Sequence, residues 1–372
     1  MHKDRIAMDS NANGVVAGSP APERPPAASG PRRRNLLKLG AVVGTAGMVG
    51  ALPRLLRAAD LAAPALIQTR TKITIIWSPS ALCLVVIGLA KRQGIFDKYG
   101  LDVDILDVGY DTTTVVQAVA LGKADATSNF VLSMLKPLEG GFDMKLTAGT
   151  HGGCSILVAS RAAGIATLQD LRGKRIGMKD LTSPMKMLYD IHLGRNGLPP
   201  DSYTWRQYPP DVFTIAVQKG EIDAFADGYP NAYFAIKRSN GTLFELAANG
   251  TGELGKRTCC ALGISGRLIR DNRPAAAALT RAMVEASLAV DHNNFLAVEA
   301  AQFFSPRQVK PEELGEMIAA YPYDEERGCP TGEALRRQIL WYAQGLKETG
   351  VLRSGTDPDQ FTNRIVLDLL TS

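Results

Sequence analysis

The sequence predicts an α/β fold of two similar lobes, each an open, mostly parallel sheet with helices on both faces. Three observations predict it. From Lys72 onward, short β-branched runs alternate with stretches of helical length, the order that produces a parallel sheet flanked by helices. One device occurs twice, as "AVALGKADAT" at 118–127 and "AVQKGEIDAF" at 216–225. In both, a helix stops at glycine and a short strand follows at once, with Gly122 matching Gly220 and Asp125 matching Asp223. Finally, 372 residues are enough for one large or two medium cores.

The chain opens with a segment that does not read as part of either lobe. Residues 11–31 are rich in Pro, Ala, Gly and Ser and have too little to bury, so disorder is expected. "RRRNLLKLG" follows, with Arg33 and Arg34 leading an apolar run from Leu39 to Leu52 that carries four glycines. That run is shorter than the roughly 20 residues a spanning helix needs. It resembles a twin-arginine export signal, with small residues at Ala59 to Ala65 offering cleavage sites. Residues 1–67 are therefore expected to be a tail plus signal peptide, and the body is expected in the periplasm. These residues hold nine Lys and Arg against four Asp and Glu, which accounts for the whole net charge of +5. The neutral remainder lacks the basic face that nucleic acid requires.

Along the body, "KITII" reads as a buried strand, and the run ending "LAKRQG" as a helix closed by Gly94. "LDVDILDV" is a strand, "TTTVVQAVALG" a helix and "KADAT" the start of another strand. "RIGM" leads into "DLTSPMKMLYDIHL", where Ser183 is a good N-cap and Pro184 stands at the first helical position. Ligands of open α/β sheets bind beyond the carboxyl ends of the strands. Those ends are Trp77-Ser78-Pro79-Ser80, Ser128-Asn129, Ser183 and Asp227-Gly228-Tyr229.

"AKRQGIFDKYGLDVDI" (90–105), "ALGKADAT", "LQDLRGKRIGM" (168–178) and "VQKGEIDAFADGYP", in this order, resemble the exported solute-binding proteins of ABC importers. The branch is that for nitrate, taurine, alkanesulfonates and thiamine-precursor pyrimidines. The resemblance spans about residues 70–370. It implies a periplasmic binding protein-like type II fold: two lobes, joined by two crossover strands, that close on a small molecule. "SILVAS" and "ALGIS" are the natural crossovers, which gives lobe I as 70–157 plus 265–372 and lobe II as 158–264. The implied partners are a small-molecule ligand and the membrane permease. A monomer is expected, without cofactor, and a binding protein rather than an enzyme.

The expected ligand contacts are Trp77 and Tyr229 as aromatic walls, Ser78, Ser80, Ser128, Asn129 and His151 from lobe I, and Ser183 and Asp227 from lobe II. Asp227 weighs against a simple anion, because a carboxylate in a closed cleft repels one. Glycines beside His151 and Cys154 in "THGGC" would let backbone approach the ligand closely. The five cysteines, Cys83, Cys154, Cys259, Cys260 and Cys329, leave three readings open: cleft-lining thiols, a disulfide, or a metal site with His151. No metal is assigned. Cys154 and Cys259 each begin a strand, and antiparallel crossovers would hold them at opposite ends, too far apart for a bond. The fungal pyrimidine synthase of the thiamine pathway shares the resemblance, with a cysteine cluster before its return strand. "RTCCALG" is a reduced form of it, so an enzyme of that kind stands as the alternative.

Overall fold

The computed structural model describes residues 70–77, 82–107, 112–304 and 309–371. The tail and export signal expected at 1–67 lie outside these residues, as do Ser78 and Ser80. Among the described residues ten strands run in order: β1 (Thr71–Trp77), β2 (Leu101–Asp107), β3 (Ala126–Phe130), β4 (Met144–Gly152), β5 (Ser155–Ser160), β6 (Arg175–Met178), β7 (Thr204–Gln207), β8 (Ala224–Gly228), β9 (Leu243–Ala248) and β10 (Thr258–Ser265). They form two five-stranded sheets with strand orders β2-β1-β3-β10-β4 and β7-β6-β8-β5-β9. No helix among the described residues is long and apolar enough to cross a membrane.

The two sheets have one plan. In each, three strands are parallel, namely β2, β1 and β3 in the first and β7, β6 and β8 in the second. An antiparallel strand then follows, β10 or β5, and pairs on its far side with the strand that leads out of the lobe. The duplicated motif sits at the same place in both. Gly122 and Gly220 take left-handed φ values of 69° and 67°, which glycine adopts without steric cost, and so end their helices. Asp125 and Asp223 then clasp the middle one of the three parallel strands of their own sheet. Asp125 Oδ2 accepts the Thr74 N–H at 2.8 Å, and Asp223 Oδ2 accepts the Arg175 N–H at 2.8 Å. The repeat in sequence is a repeat in structure.

From Ile73 onward β1 is covered on both faces and reads as a largely apolar run. In β1, Ile73 and Ile75 enter one core and Ile76 enters another. The core containing Ile76 is continuous across the lobes. It joins Leu135 and Leu138 of the helix Val131–Glu139 to Leu188 and Ile191 of the helix Pro184–Arg195, and both to Ile339 and Leu346 of the helix Gly332–Glu348. Gly345 permits this contact: a Cβ there would lie 2.6 Å from Ile191 Cγ2.

Sheet membership shifts the expected crossovers. β5, which contains "SILVAS", is a strand of the second sheet, and β10, which contains "ALGIS", belongs to the first. The chain therefore changes sheet at 153–154 and again at 249–257. β5 and β10 do not pair with each other. Instead β10 pairs with β4 in antiparallel register, Thr258 opposite Gly152 and Cys260 opposite His151. The start of β10 thus lies at the end of β4, and this overturns the expectation for the cysteines. Cys154 Sγ and Cys259 Sγ are 2.8 Å apart, at the same end rather than opposite ends.

Candidate functional site

The two sheet-to-sheet connections touch. Gly153 has φ +55°, and a Cβ on it would stand 2.6 Å from Gly250 Cα. A Cβ on Gly152 would meet the Pro322 ring at 3.1 Å. These glycines therefore serve the approach of one connection to the other and to the 320s loop, where closeness to a ligand was expected. Asn249, 1% exposed, ties the pair together. Its Oδ1 accepts the N–H groups of Cys154 at 2.6 Å and Ser155 at 2.7 Å, while its Nδ2 donates to Cys259 Sγ at 3.2 Å.

Around this junction four cysteines and a histidine converge. The side-chain donors of Cys83, His151 and Cys260 lie within 4.8 Å of one another, and so do those of Cys154, Cys259 and Cys260. Cys83 arrives on the short turn Leu82–Leu84, which leads into the helix Val85–Arg92. The neighbours Cys259 and Cys260 both reach the cluster because β10 is irregular there. Its register against β4 shifts between Thr258 and Cys260 and again between Cys260 and Ala261, and such bulges re-aim side chains that a regular strand would send to opposite faces. Burial opposes the Cys259 thiolate, but contacts from Cys154, Cys260 and Asn249 outweigh it and bring its pKa down to about 6. Burial and the neighbouring sulfurs push Cys260 well up. Contact with Cys259 raises Cys154, and contact with Cys154 raises Cys83. Cys329 is separate, its thiol donating to Tyr323 O at 3.1 Å.

His151 is fully buried, with its ring centroid 5.6 Å from that of Tyr321 and 6.2 Å from that of Tyr323. Its Nδ1 lies 3.0 Å from Gly152 O. A carbonyl only accepts, so Nδ1 is the donor, and in the neutral ring that leaves the lone pair on Nε2. Nε2 is buried and has no hydrogen-bond partner among the described residues.

The structure brings some of the expected residues together and separates others. Trp77 and Tyr229 join Cys83, Cys154, Tyr321 and Tyr323 in one apolar cluster. Tyr229, from the end of β8, meets Tyr321 edge-on at 5.1 Å, so the second lobe reaches the first lobe's His151 through one intervening ring. Ser128 is buried and shares a hydrogen bond with Thr150 Oγ1 at 2.8 Å. Asn129 Oδ1 accepts the Phe130 N–H at 2.7 Å. Ser183 caps its helix by accepting the Met185 N–H at 3.2 Å. Asp227 lines a groove of about 630 Å³ in the second lobe, with Phe213, Phe225, Asn231 and Arg238. Its carboxylate accepts from Gly228 N and Asn231 Nδ2, and burial raises its pKa against those bonds and Lys179. Sequence reasoning missed Asn249, Tyr321 and Tyr323. Their only local signals are the Asn-Gly pair after β9 and "YPY" at 321–323, neither of which identifies a site.

Across the seam, the helix Asn231–Lys237 of the second lobe faces the helix Pro311–Ala319 of the first. Lys237 Nζ lies 3.4 Å from Glu313 and 3.3 Å from Glu316, and the Tyr233 hydroxyl donates to Glu316. Arg195 pairs with Glu348 at 2.8 Å on another side.

A family model described as NMT1/THI5 like matches residues 85–290, more than half of the chain. The chain belongs to this family. A search of curated proteins finds no match. Among solved structures, the alkanesulfonate-binding protein of Xanthomonas axonopodis pv. citri, bound to MOPS, superposes with a TM-score of 0.61 at 16% identity, over 81% of this chain and 99% of that one. The periplasmic nitrate-binding protein of Synechocystis PCC 6803 gives 0.60 at 16% identity, over 82% and 87%. A ligand-binding component of an ABC-type import system from Staphylococcus aureus, with zinc bound, gives 0.61 at 13% identity, over 81% and 98%. The NMT1/THI5-like chain thus has the two-lobed periplasmic binding protein fold that the resemblance implied. The three neighbours named here are binding proteins by their printed descriptions.

Proposed function

We propose that the chain is the extracytoplasmic solute-binding component of an ABC importer and captures a small polar molecule of the sulfonate, taurine, nitrate or amino-pyrimidine type. Family membership and the neighbours' printed ligands support the class. The observation that carries the reading is the seam at Tyr229 and Tyr321. There the carboxyl end of β8 meets the first lobe, where a hinge-closing receptor holds its ligand between lobes. Trp77, Tyr229 and Tyr321 would wall the ligand. Ser78, Ser80 and the Ser183 helix N-terminus would supply hydrogen bonds. Ser128 and Asn129 already hold internal partners and would act by shaping the wall. Because Asp227 faces its own groove, the argument against a simple anion loses its ground, and sulfonate and nitrate stand level with the zwitterion.

Lobe closure, delivery to a permease and export through the twin-arginine route belong to the same proposal. A thermal-shift screen of taurine, an alkanesulfonate, nitrate and an amino-pyrimidine tests it. One class should raise the melting temperature in a dose-dependent way, and Tyr229→Ala should abolish the shift. A flat response to all four would refute it.

A further inference from the structure

We propose that Cys83, His151, Cys154, Cys259 and Cys260 form a binding site for one thiophilic d10 cation, Cu(I) or Zn(II), at the junction of the two inter-lobe connections. The sequence left a metal site with His151 and the cysteines open without assigning one, because the His-Gly-Gly-Cys spacing is only half a site. The antiparallel pairing of β10 with β4 brings them to one place.

Three independent observations point to an ion. First, the donor set is soft: two overlapping triads share Cys260, each with its ligand atoms within 4.8 Å, and neither contains a carboxylate. Thiolate with imidazole selects Cu(I) or Zn over Mg or Ca. A tetrahedral zinc site with Zn–S of 2.3 Å places its sulfurs about 3.8 Å apart, within that span. Cys154 and Cys259, at 2.8 Å, would part slightly to admit the ion between them and Cys260.

Second, His151 is set as a metal ligand is. One ring nitrogen is held by a backbone carbonyl, which fixes the tautomer and ring orientation. The other, Nε2, is buried with its lone pair unused among the described residues. Leaving a buried acceptor unsatisfied is costly, and coordination removes that cost.

Third, the surroundings match an outer shell. The Asn249 amide donates to Cys259 Sγ, and the rings of Tyr321 and Tyr323 flank the histidine. Cys83 and Cys154 are only partly buried, which leaves them as the side of entry.

The site does not depend on the transported solute. Ion binding without solute binding would uphold this inference and sink the proposed function, and solute binding by an ion-free protein would do the reverse. The test uses the purified chain, reduced, desalted under anaerobic conditions and titrated with Zn(II) against a chromogenic chelator and with Cu(I) against bicinchoninate. At least one of the two ions should bind at one equivalent and survive desalting. His151→Gln should weaken binding by at least about tenfold, and Cys259→Ser with Cys260→Ser should abolish stoichiometric retention. Cys329→Ser, outside the cluster, should leave the stoichiometry at one. Circular dichroism identifies any variant that fails to fold. Alkylation of the wild-type thiols, with and without ion, then gives the same answer without substitution, since the ion should protect the two partly buried thiols, Cys83 and Cys154. Failure of both ions to bind, retention unchanged in the His151 and Cys259/Cys260 variants, or the absence of thiol protection would overturn the proposal. So would a Cys154–Cys259 disulfide that, once reduced, yields a protein that binds neither ion.

Discussion

Replacing Asn249 with alanine removes a side chain that bonds both connections at once. It leaves the Ser155 N–H, whose residue is 1% exposed, with no acceptor, and strips the Cys154 N–H of its own. An unsatisfied buried donor costs about 1–3 kcal/mol. Cys154 is only half-buried, so water recovers part of its share, and the expected loss is about 2–4 kcal/mol. Urea denaturation read by circular dichroism should show the midpoint fall with an unchanged m-value, because the surface exposed on unfolding is the same. Asn249→Asp keeps an acceptor for both N–H groups but loses the donor to Cys259, so it should retain more stability than the alanine variant. A change within about 0.5 kcal/mol for Asn249→Ala, the ordinary range of surface substitutions, would refute the view that Asn249 fastens the junction.

Other consequences concern charge, closure and the aromatic seam. Burial would raise the Glu139 pKa, but Lys136, Thr356 and the Arg353 N–H hold it at about 2 against an ordinary 4.5. Because the folded value is the lower one, its contribution is complete above pH 4.5 and is lost as pH falls toward 2. Glu139→Gln should therefore cost at most about 3 kcal/mol near neutrality, reduced by the exposure of Lys136 and Arg353, and the gap should close in acid unfolding curves. Lys237→Ala removes exposed pairs that span the seam. Stability should barely change, while small-angle scattering of the ligand-free protein should show a larger radius of gyration and solute affinity should drop a few-fold. Tyr321→Ala should weaken solute binding more than Tyr321→Phe, since the ring's place at the seam matters more than its hydroxyl; equal losses by calorimetry would contradict this.

The fold was readable because its determinants are local and repeated. Gly122 with Asp125, and Gly220 with Asp223, announce the same helix stop and strand clasp, and β1 carries its burial in its composition. Strand partners were less readable. "SILVAS" and "ALGIS" are equally apolar, and nothing within either says which sheet it joins. That choice depends on β4 and β10 meeting across more than a hundred residues. Misplacing it put Cys154 and Cys259 apart. The bulge at Cys260 is likewise a property of the pairing, and without it adjacent cysteines are expected on opposite faces. Asn249 and Tyr321 act through what they touch in other segments, so neither has a signature of its own.

The central claim is that one small solute closes the two lobes at the Tyr229–Tyr321 seam. Isothermal titration of the purified body with taurine, an alkanesulfonate, nitrate and an amino-pyrimidine, paired with scattering of the free and saturated protein, tests it most directly. The account predicts a 1:1 isotherm for one class at micromolar affinity, about −8 kcal/mol, with compaction on saturation and loss of binding in Tyr229→Ala. Absence of heat with every solute, or saturation that leaves both the radius of gyration and the Tyr229→Ala variant unaffected, would contradict it.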